Sequence, residues 1–499
     1  MSDRSAGYVT DTGYTFGYHA ALNPLATRLA FLRAGLEPPR IVTACELGFG
    51  QGVSLAVHAA ASHARWWGDD LLPDHVRFAQ SLDDAAGSGS TLAEATFEEF
   101  AQRGDLPQFD FIGLHGVLSW ISAENRARIA AFVRDHLAPG GVVYSGYNAL
   151  PGWADMVPLR RLMTEHAARA GNGSTVDRIE SALEFTARLL DTHPLALRAG
   201  PRVVDRFERL RRADRRYLAH EYFNRDWHPL YFADAADLFE TAGLRHGCSA
   251  QLRDHLDALN LTGEQRRMLA EITDPRLRET VRDFVTNPQF RRDYWVREAR
   301  PIAGDALRDA WRETRVVLAV HRDDIPEKVS GMLGEQRLSE APHRAVLDAL
   351  GDHRPRTIGE VHASAGGLGL DAVTDAVVEL AAFDHLSIAQ DDTAIERCAS
   401  RTARLNATLV AHAATSDDIG VLASPVTGGG VAVDRLEQLF CGAIAAGQTT
   451  PEAWMADAQA RVTSVGGAAI GDVAALARGA RRFASHRLPA LRALRIVPG

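Results

Sequence analysis

Glu46, Gly48, Gly50 and Gly52 follow one another between the β-prone run 41–43 and an alanine-rich segment, 53–61, of helical character. Glycine lets a chain turn tightly and lets its backbone approach a ligand closely, while the helix that follows presents free N–H groups. The spacing here is G-x-G-x-G, whereas a dinucleotide fold prefers G-x-G-x-x-G with a pyrophosphate resting on the helix end. Glu46 would repel a pyrophosphate. The same carboxylate suits a ligand with a positive charge, such as the amino group of S-adenosylmethionine.

A second acid lies where such a ligand would need one. Segment 64–70 ends in Asp69 and Asp70, roughly 20 residues past the glycines, the distance at which a carboxylate meets ribose hydroxyls in this kind of fold. With Gly68 closing the strand, either side chain could face the ligand. Further on, 110–116 reads as a buried strand ending in a polar turn at His115 and Gly116, followed by a helix over 124–136, the turn Pro139-Gly140-Gly141 and a strand over 142–147. Strands alternating with helices predict an α/β fold, a doubly wound parallel sheet whose ligand lies beyond the carboxyl ends of the strands. Gly50, Asp70, His115 and Tyr147 all fall at such ends.

Residues 46–52, Asp70, 109–122 and 147–153 resemble class I S-adenosylmethionine-dependent methyltransferases. More narrowly they resemble the bacterial enzymes that carry a methyltransferase regulatory domain, which include lysine methyltransferases acting on outer-membrane proteins. Residues 8–11, 14–18 and 220–224 are similar to that family as well, so the resemblance extends over most of the chain. It implies a Rossmann-like sheet and S-adenosyl-L-methionine as cofactor, with no metal. It favours Asp70 over Asp69, and it implies cofactor contacts from Glu46, Gly48, Phe49, Gly50, Gln51, Gly52, Asp70, Leu71, Thr96, Phe97, His115 and Trp120. Tyr14, His115, Trp120, Tyr147, Asn148, Glu221 and Tyr222 are the residues expected around the acceptor. One departure stands at Ala95-Thr96-Phe97, where the family commonly has an acid before the aromatic that borders adenine.

These residues need a scaffold. At 499 residues the chain should hold two to four domains of about 100–200 residues each. With 46% hydrophobic residues, 24% charged residues and a net charge of -9, its composition is that of an ordinary soluble protein. Segment 1–7 lacks a basic stretch followed by an apolar core, and no run approaches the roughly 18 apolar residues of a membrane span, which predicts a cytoplasmic protein. Cys45, Cys248, Cys398 and Cys441 show no C-x-x-C spacing, which argues against a zinc cluster or a disulfide framework.

Tyr8, Tyr14, Tyr18 and His19 are expected to fold the first 40 residues over the cleft. A helical insertion is expected over about 155–218, interrupted near Asn172 and Gly200. A helix over 231–242 and a strand over 245–250 would then complete a catalytic domain spanning 1–250. A middle, regulatory domain is placed at 251–330. Its string 290–295 mixes arginine and aromatics, but Asp293 interrupts it, so it reads as an interdomain contact rather than a nucleic-acid surface. In the last unit, 331–499, helices over 342–350, from 357 and over 371–383, then a strand from 385, resemble a winged helix. The would-be recognition helix carries Asp371, Asp375 and Glu379 and no base between 371 and 379. Nucleic acid is therefore not the expected partner. A protein-interaction or regulatory role is, and the family resemblance suggests a homodimer.

Methyl transfer from a sulfonium is an in-line displacement, so positioning dominates the protein's task. A lysine amine, with a free pKa of about 10.4, must first lose its proton, and an apolar aromatic channel promotes that loss by desolvation. Glu221 could accept that proton or pair with the acceptor cation, or it could anchor the helical insertion. His115 could serve polar chemistry or structure. Three activities fit these residues: a protein methyltransferase with lysine as the favoured acceptor, a small-molecule N- or O-methyltransferase, and a non-catalytic cofactor-binding regulatory protein.

Overall fold

The computed structural model describes residues 8–9, 11–171, 173–197, 201–338, 340–466, 468 and 470–498. Thr10, Asn172, Gly200 and segment 1–7, named above, lie outside them. Seven strands form the central sheet: β1 (Thr43–Leu47), β2 (Arg65–Asp70), β3 (Thr91–Glu94), β4 (Phe109–His115), β5 (Leu137–Asn148), β6 (Arg245–Ser249) and β7 (Phe290–Val296), in the order β3-β2-β1-β4-β5-β7-β6. β1 to β5 run parallel, whereas β7 lies antiparallel to both β5 and β6.

Side-chain alternation along the strands builds a core on each face. Ala44, Trp66, Phe111, Val142, Tyr144 and Tyr294 pack with α1 (Thr27–Arg33), α2 (Val53–Ala61) and α3 (Pro73–Ala86). Their neighbours Cys45, Ile112, Val143, Tyr147 and Trp295 face the other way, onto α4 (Phe97–Ala101), α5 (Ala123–His136) and, later in the chain, the helix Phe232–Glu240. The doubly wound expectation is thereby met.

The helical insertion comprises α6 (Val157–Ala167), α7 (Thr175–Asp191), α8 (Pro201–Arg211) and α9 (Arg215–Tyr222). It has its own apolar core, in which Trp153, Met163, Leu183, Phe207, Leu218 and Tyr222 meet. Asp214 starts α9 by accepting the Arg216 and Tyr217 amides.

The expected boundaries at 250 and 331 do not survive. The string 290–295 is no interdomain contact: as β7 it inserts between β5 and β6, pairing Tyr144 with Tyr294 and Val143 with Trp295. The catalytic sheet is thus closed by residues from the expected middle unit. Similarly, strand Arg315–Leu318 pairs with Leu386–Ile388 and Arg356–Thr357 in one three-stranded sheet. Helices Glu340–Leu350, Ile358–Ser364 and Leu370–Ala382 share its core, so this unit begins before 331. From Ala389 onward, the remaining chain joins a different core, which reaches Val53, Ala56 and Leu82 of α2 and α3.

β7 is fastened by charge as well as by pairing. Arg291 is buried and donates to Asp293 twice at 2.8 Å, to Asp283 at 2.5 Å and to Glu279 at 3.0 Å. Arg291→Met strands three carboxylates around one cavity and should cost about 3–5 kcal/mol of stability. Urea unfolding would measure it, and a loss below about 1 kcal/mol would contradict the role given to this network.

Candidate active site

The glycine turn is shaped by φ values of +65° at Gly48, +60° at Gly50 and +70° at Gly52, a region that disfavours other residues. The Gly48 and Phe49 amides donate to the Asp69 carbonyl at 2.9 and 3.1 Å, which clamps the turn to the end of β2. Asp70 then organises its surroundings. Its Oδ2 accepts the Gly50 amide at 2.8 Å, and its Oδ1 accepts the Leu72 amide at 2.9 Å and lies 3.0 Å from His75 Nδ1.

Beyond this turn lies a cavity of about 690 Å³. Glu46, Gly48, Phe49, Gly50, Gln51, Asp70, Leu71, Thr96, Phe97, His115, Trp120, Tyr14 and Glu221 all line it, so most of the expected site residues converge. Asp69 lines it too. Glu46 is buried, and its Oε2 has no hydrogen-bond partner. Burial, reinforced by the charge of Asp70, pushes its carboxyl up to about 8, and burial likewise holds Asp69 well above the usual carboxylate range. A buried carboxylate oxygen without a donor, with two more carboxylates beside it, fits a cationic ligand. Thr96 commits its hydroxyl to a capping box with Glu99 at the start of α4.

The opening segment folds over this cavity, as expected from its aromatics. Tyr8, Tyr14, Thr15, Gly17 and His19 line the wall. The Tyr14 amide donates to His75 Nε2 at 3.2 Å, and its carbonyl accepts from Gln51 Nε2 at 3.1 Å. Its hydroxyl donates to Glu221 Oε1 at 2.8 Å. Val9 is tied to Asn224 at 2.9 Å, and His220 Nε2 donates to the Thr12 carbonyl at 2.9 Å. Tyr18 does something else: its hydroxyl accepts the Gly430 amide at 2.7 Å, fastening the segment to the C-terminal chain.

Two imidazoles stack within the wall. His19 lies on His115 with ring centres 3.6 Å apart, and His115 Nδ1 hydrogen-bonds the Tyr144 hydroxyl at 2.7 Å. Burial, helped by nearby Arg292, lowers His19 to about 4 and holds His115 well below the usual imidazole range. Both rings are neutral at physiological pH. Glu221 moves in the opposite sense, raised by burial to about 7 although the Tyr14 hydroxyl favours its charged form.

Four expected residues do not face the cavity. β5 turns Tyr147 away from Tyr144, into the other layer, where its hydroxyl donates to Asp293 at 2.8 Å. Asn148 is buried, and its backbone N–H donates to the Ser119 hydroxyl at 2.9 Å. Tyr222 packs on Trp153 inside the helical insertion. Gly52 serves helix contact instead, since a Cβ there would stand 2.4 Å from that of Ala79. Conversely, His75 and Phe290 escaped the sequence reading. Their partners lie on other elements, 61 residues away for the His75 contact with Tyr14, and no local pattern marks them.

Comparisons with known proteins agree with this geometry. The family described as "predicted methyltransferase regulatory domain" matches residues 214–297. Uncharacterized protein sll1526 of Synechocystis sp. is 36% identical over 441 residues, covering 87% of each chain. PKMT2 from Rickettsia typhi in complex with AdoHcy has a TM-score of 0.69 at 19% identity, over 98% of this chain and 100% of that one. A second structure of that protein gives 0.67 at 19% identity, over 97% and 98%.

The chain belongs to the class I S-adenosylmethionine-dependent methyltransferases that carry a regulatory domain. In this methyltransferase the regulatory segment is part of the catalytic body. It supplies β6 and β7, and it places His220, Glu221 and Phe290 in the cavity wall.

The buried carboxyl of Glu46 has a measurable consequence for the ligand-free methyltransferase. Burial favours its protonated form, so its contribution to stability is full in acid and is lost as pH climbs through about 8. Glu46→Gln should therefore unfold at a higher temperature than wild type at pH 9, with the gap closing at pH 5, in scanning calorimetry. A lower unfolding temperature at both pH values would contradict this account.

Proposed function

We propose that this methyltransferase modifies a protein side chain, with lysine as the favoured acceptor, and that the Tyr14–Glu221 pair receives the acceptor. The observation that carries this reading is the 2.8 Å hydrogen bond between those two groups on the wall of the cavity that Glu46 and Asp70 also line. Bound S-adenosylmethionine supplies an electrophilic methyl group on a sulfonium. Glu46 would hold its ammonium and Asp70 its ribose hydroxyls, while Phe97, Leu71 and Thr96 would border the adenine.

The chain's own residues then prepare the amine. Trp120, Tyr8 and Phe290, together with two neutral imidazoles, surround it with weakly polar surface, which lowers the proton affinity of a cationic amine. Glu221 pairs with the incoming ammonium, and its raised pKa makes it a competent proton acceptor near neutrality. Tyr14, held at both backbone ends, keeps Glu221 in one orientation. This scheme asks no metal of the protein. Among the described residues, the His/Asp group close enough to share an ion, His321, Asp323 and His486, lies outside the cavity lining.

A small-molecule acceptor is the second reading, favoured by the opening segment that covers the cavity. Incubation of purified protein with isotopically labelled methyl donor and host lysate separates the two. Label is expected in the protein fraction, on lysine after hydrolysis; label confined to small molecules would select the second reading.

Because Glu221 must be ionised to accept a proton, turnover should rise with pH through about 7. Glu221→Gln should remove that rise and lower kcat at least tenfold, about 1.4 kcal/mol of barrier. The KM for the methyl donor should change little. An unaltered pH profile in the variant would assign the proton to another group.

A further inference from the structure

We infer that His75 is a positioning residue that couples occupancy of the ribose site to the acceptor wall, an inference that rests on the reading of Asp70 as the ribose-binding acid. His75 is buried in the first turn of α3 and has a partner on each nitrogen. Because Nε2 accepts the Tyr14 amide, the ring proton sits on Nδ1 and is donated to Asp70 Oδ1. Asp70 in turn accepts the Gly50 amide, and the Tyr14 hydroxyl ends on Glu221. One continuous path of hydrogen bonds therefore runs from the glycine turn, through Asp70, His75 and Tyr14, to Glu221.

A helix cap alone would not need this arrangement. Asp70 already satisfies the Leu72 amide beside α3, and the second nitrogen of His75 is turned to a segment far away in sequence. A ligand hydroxyl that draws on Asp70 redistributes the hydrogen bonds this carboxylate accepts, and the imidazole passes that change to the backbone of Tyr14. Ribose binding then fixes segment 11–19, and with it the orientation of Glu221.

Two substitutions cut the path at different ends. His75→Asn keeps a donor near the Nδ1 position and loses the acceptor for Tyr14; His75→Gln keeps an acceptor near Nε2 and loses the donor to Asp70. Hydrogen exchange of full-length protein, with and without S-adenosylhomocysteine, reads the coupling directly. In wild type the ligand should slow exchange over 11–19 at least tenfold. In both variants it should bind within about threefold of wild-type affinity by calorimetry, yet slow exchange less than twofold. Turnover should fall at least tenfold while the KM for the methyl donor stays within threefold. Undiminished ligand-dependent protection in either variant would overturn the proposal. So would a wild-type protein that binds S-adenosylhomocysteine without protecting 11–19, a result that needs no variant to fold. Failure of wild type to bind S-adenosylhomocysteine at all would instead remove the cofactor reading on which the inference rests.

Discussion

Asp70 is a single carboxylate asked to serve three pieces of chain at once. It accepts amides from the glycine turn and from the start of α3, and it holds the imidazole on which the opening segment rests. Charged acceptors make stronger hydrogen bonds than neutral ones, and shielding from water strengthens them further. The turn, the helix and the covering segment also touch one another directly, through Gly52 against Ala79 and Gln51 on the Tyr14 carbonyl, but Asp70 is the side chain that all three share. Glu46 and Asp69 line the same cavity, so the carboxylate that shapes the wall also stands among its other acids.

The burial of these acids is costly in the ligand-free protein, as the raised carboxyl of Glu46 records. A cation in the cavity would offset that cost. The Arg291 cluster follows a different logic. There three carboxylates surround one guanidinium, and the set is internally satisfied apart from one oxygen of Asp283. Such a buried ionic cluster contributes modest net stability but penalises any other placement of β7. All four residues belong to the regulatory segment, and the Tyr147 hydroxyl, donating to Asp293, ties the cluster to β5.

The covering segment shows how function can be distributed over a chain. Tyr14 reaches Gln51, His75 and Glu221, which belong to the glycine turn, α3 and α9. Tyr18, four residues on, reaches Gly430. The glycine turn, α3, α9 and the C-terminal chain are thereby joined through a stretch that has almost no regular secondary structure of its own.

Much of this protein was fixed by local sequence. The glycine turn with Glu46 and the acid pair 69–70 were legible because backbone conformation and strand-to-helix spacing constrain residue type over short distances. The strand and helix order through β5 was legible for the same reason, as were the helices and final strand of the three-stranded unit. Only the tertiary structure decided that the string 290–295 is a strand, because its pairing partners in β5 lie about 150 residues earlier and strand pairing at that range leaves no periodic mark. The same limit explains Tyr147 and His75. Which face of β5 meets the cavity depends on register with β4 and β7, and which group occupies the second nitrogen of a buried imidazole depends on a segment that arrives from elsewhere in the chain. Local sequence determines what a residue is able to do, and long-range packing determines what it is placed beside.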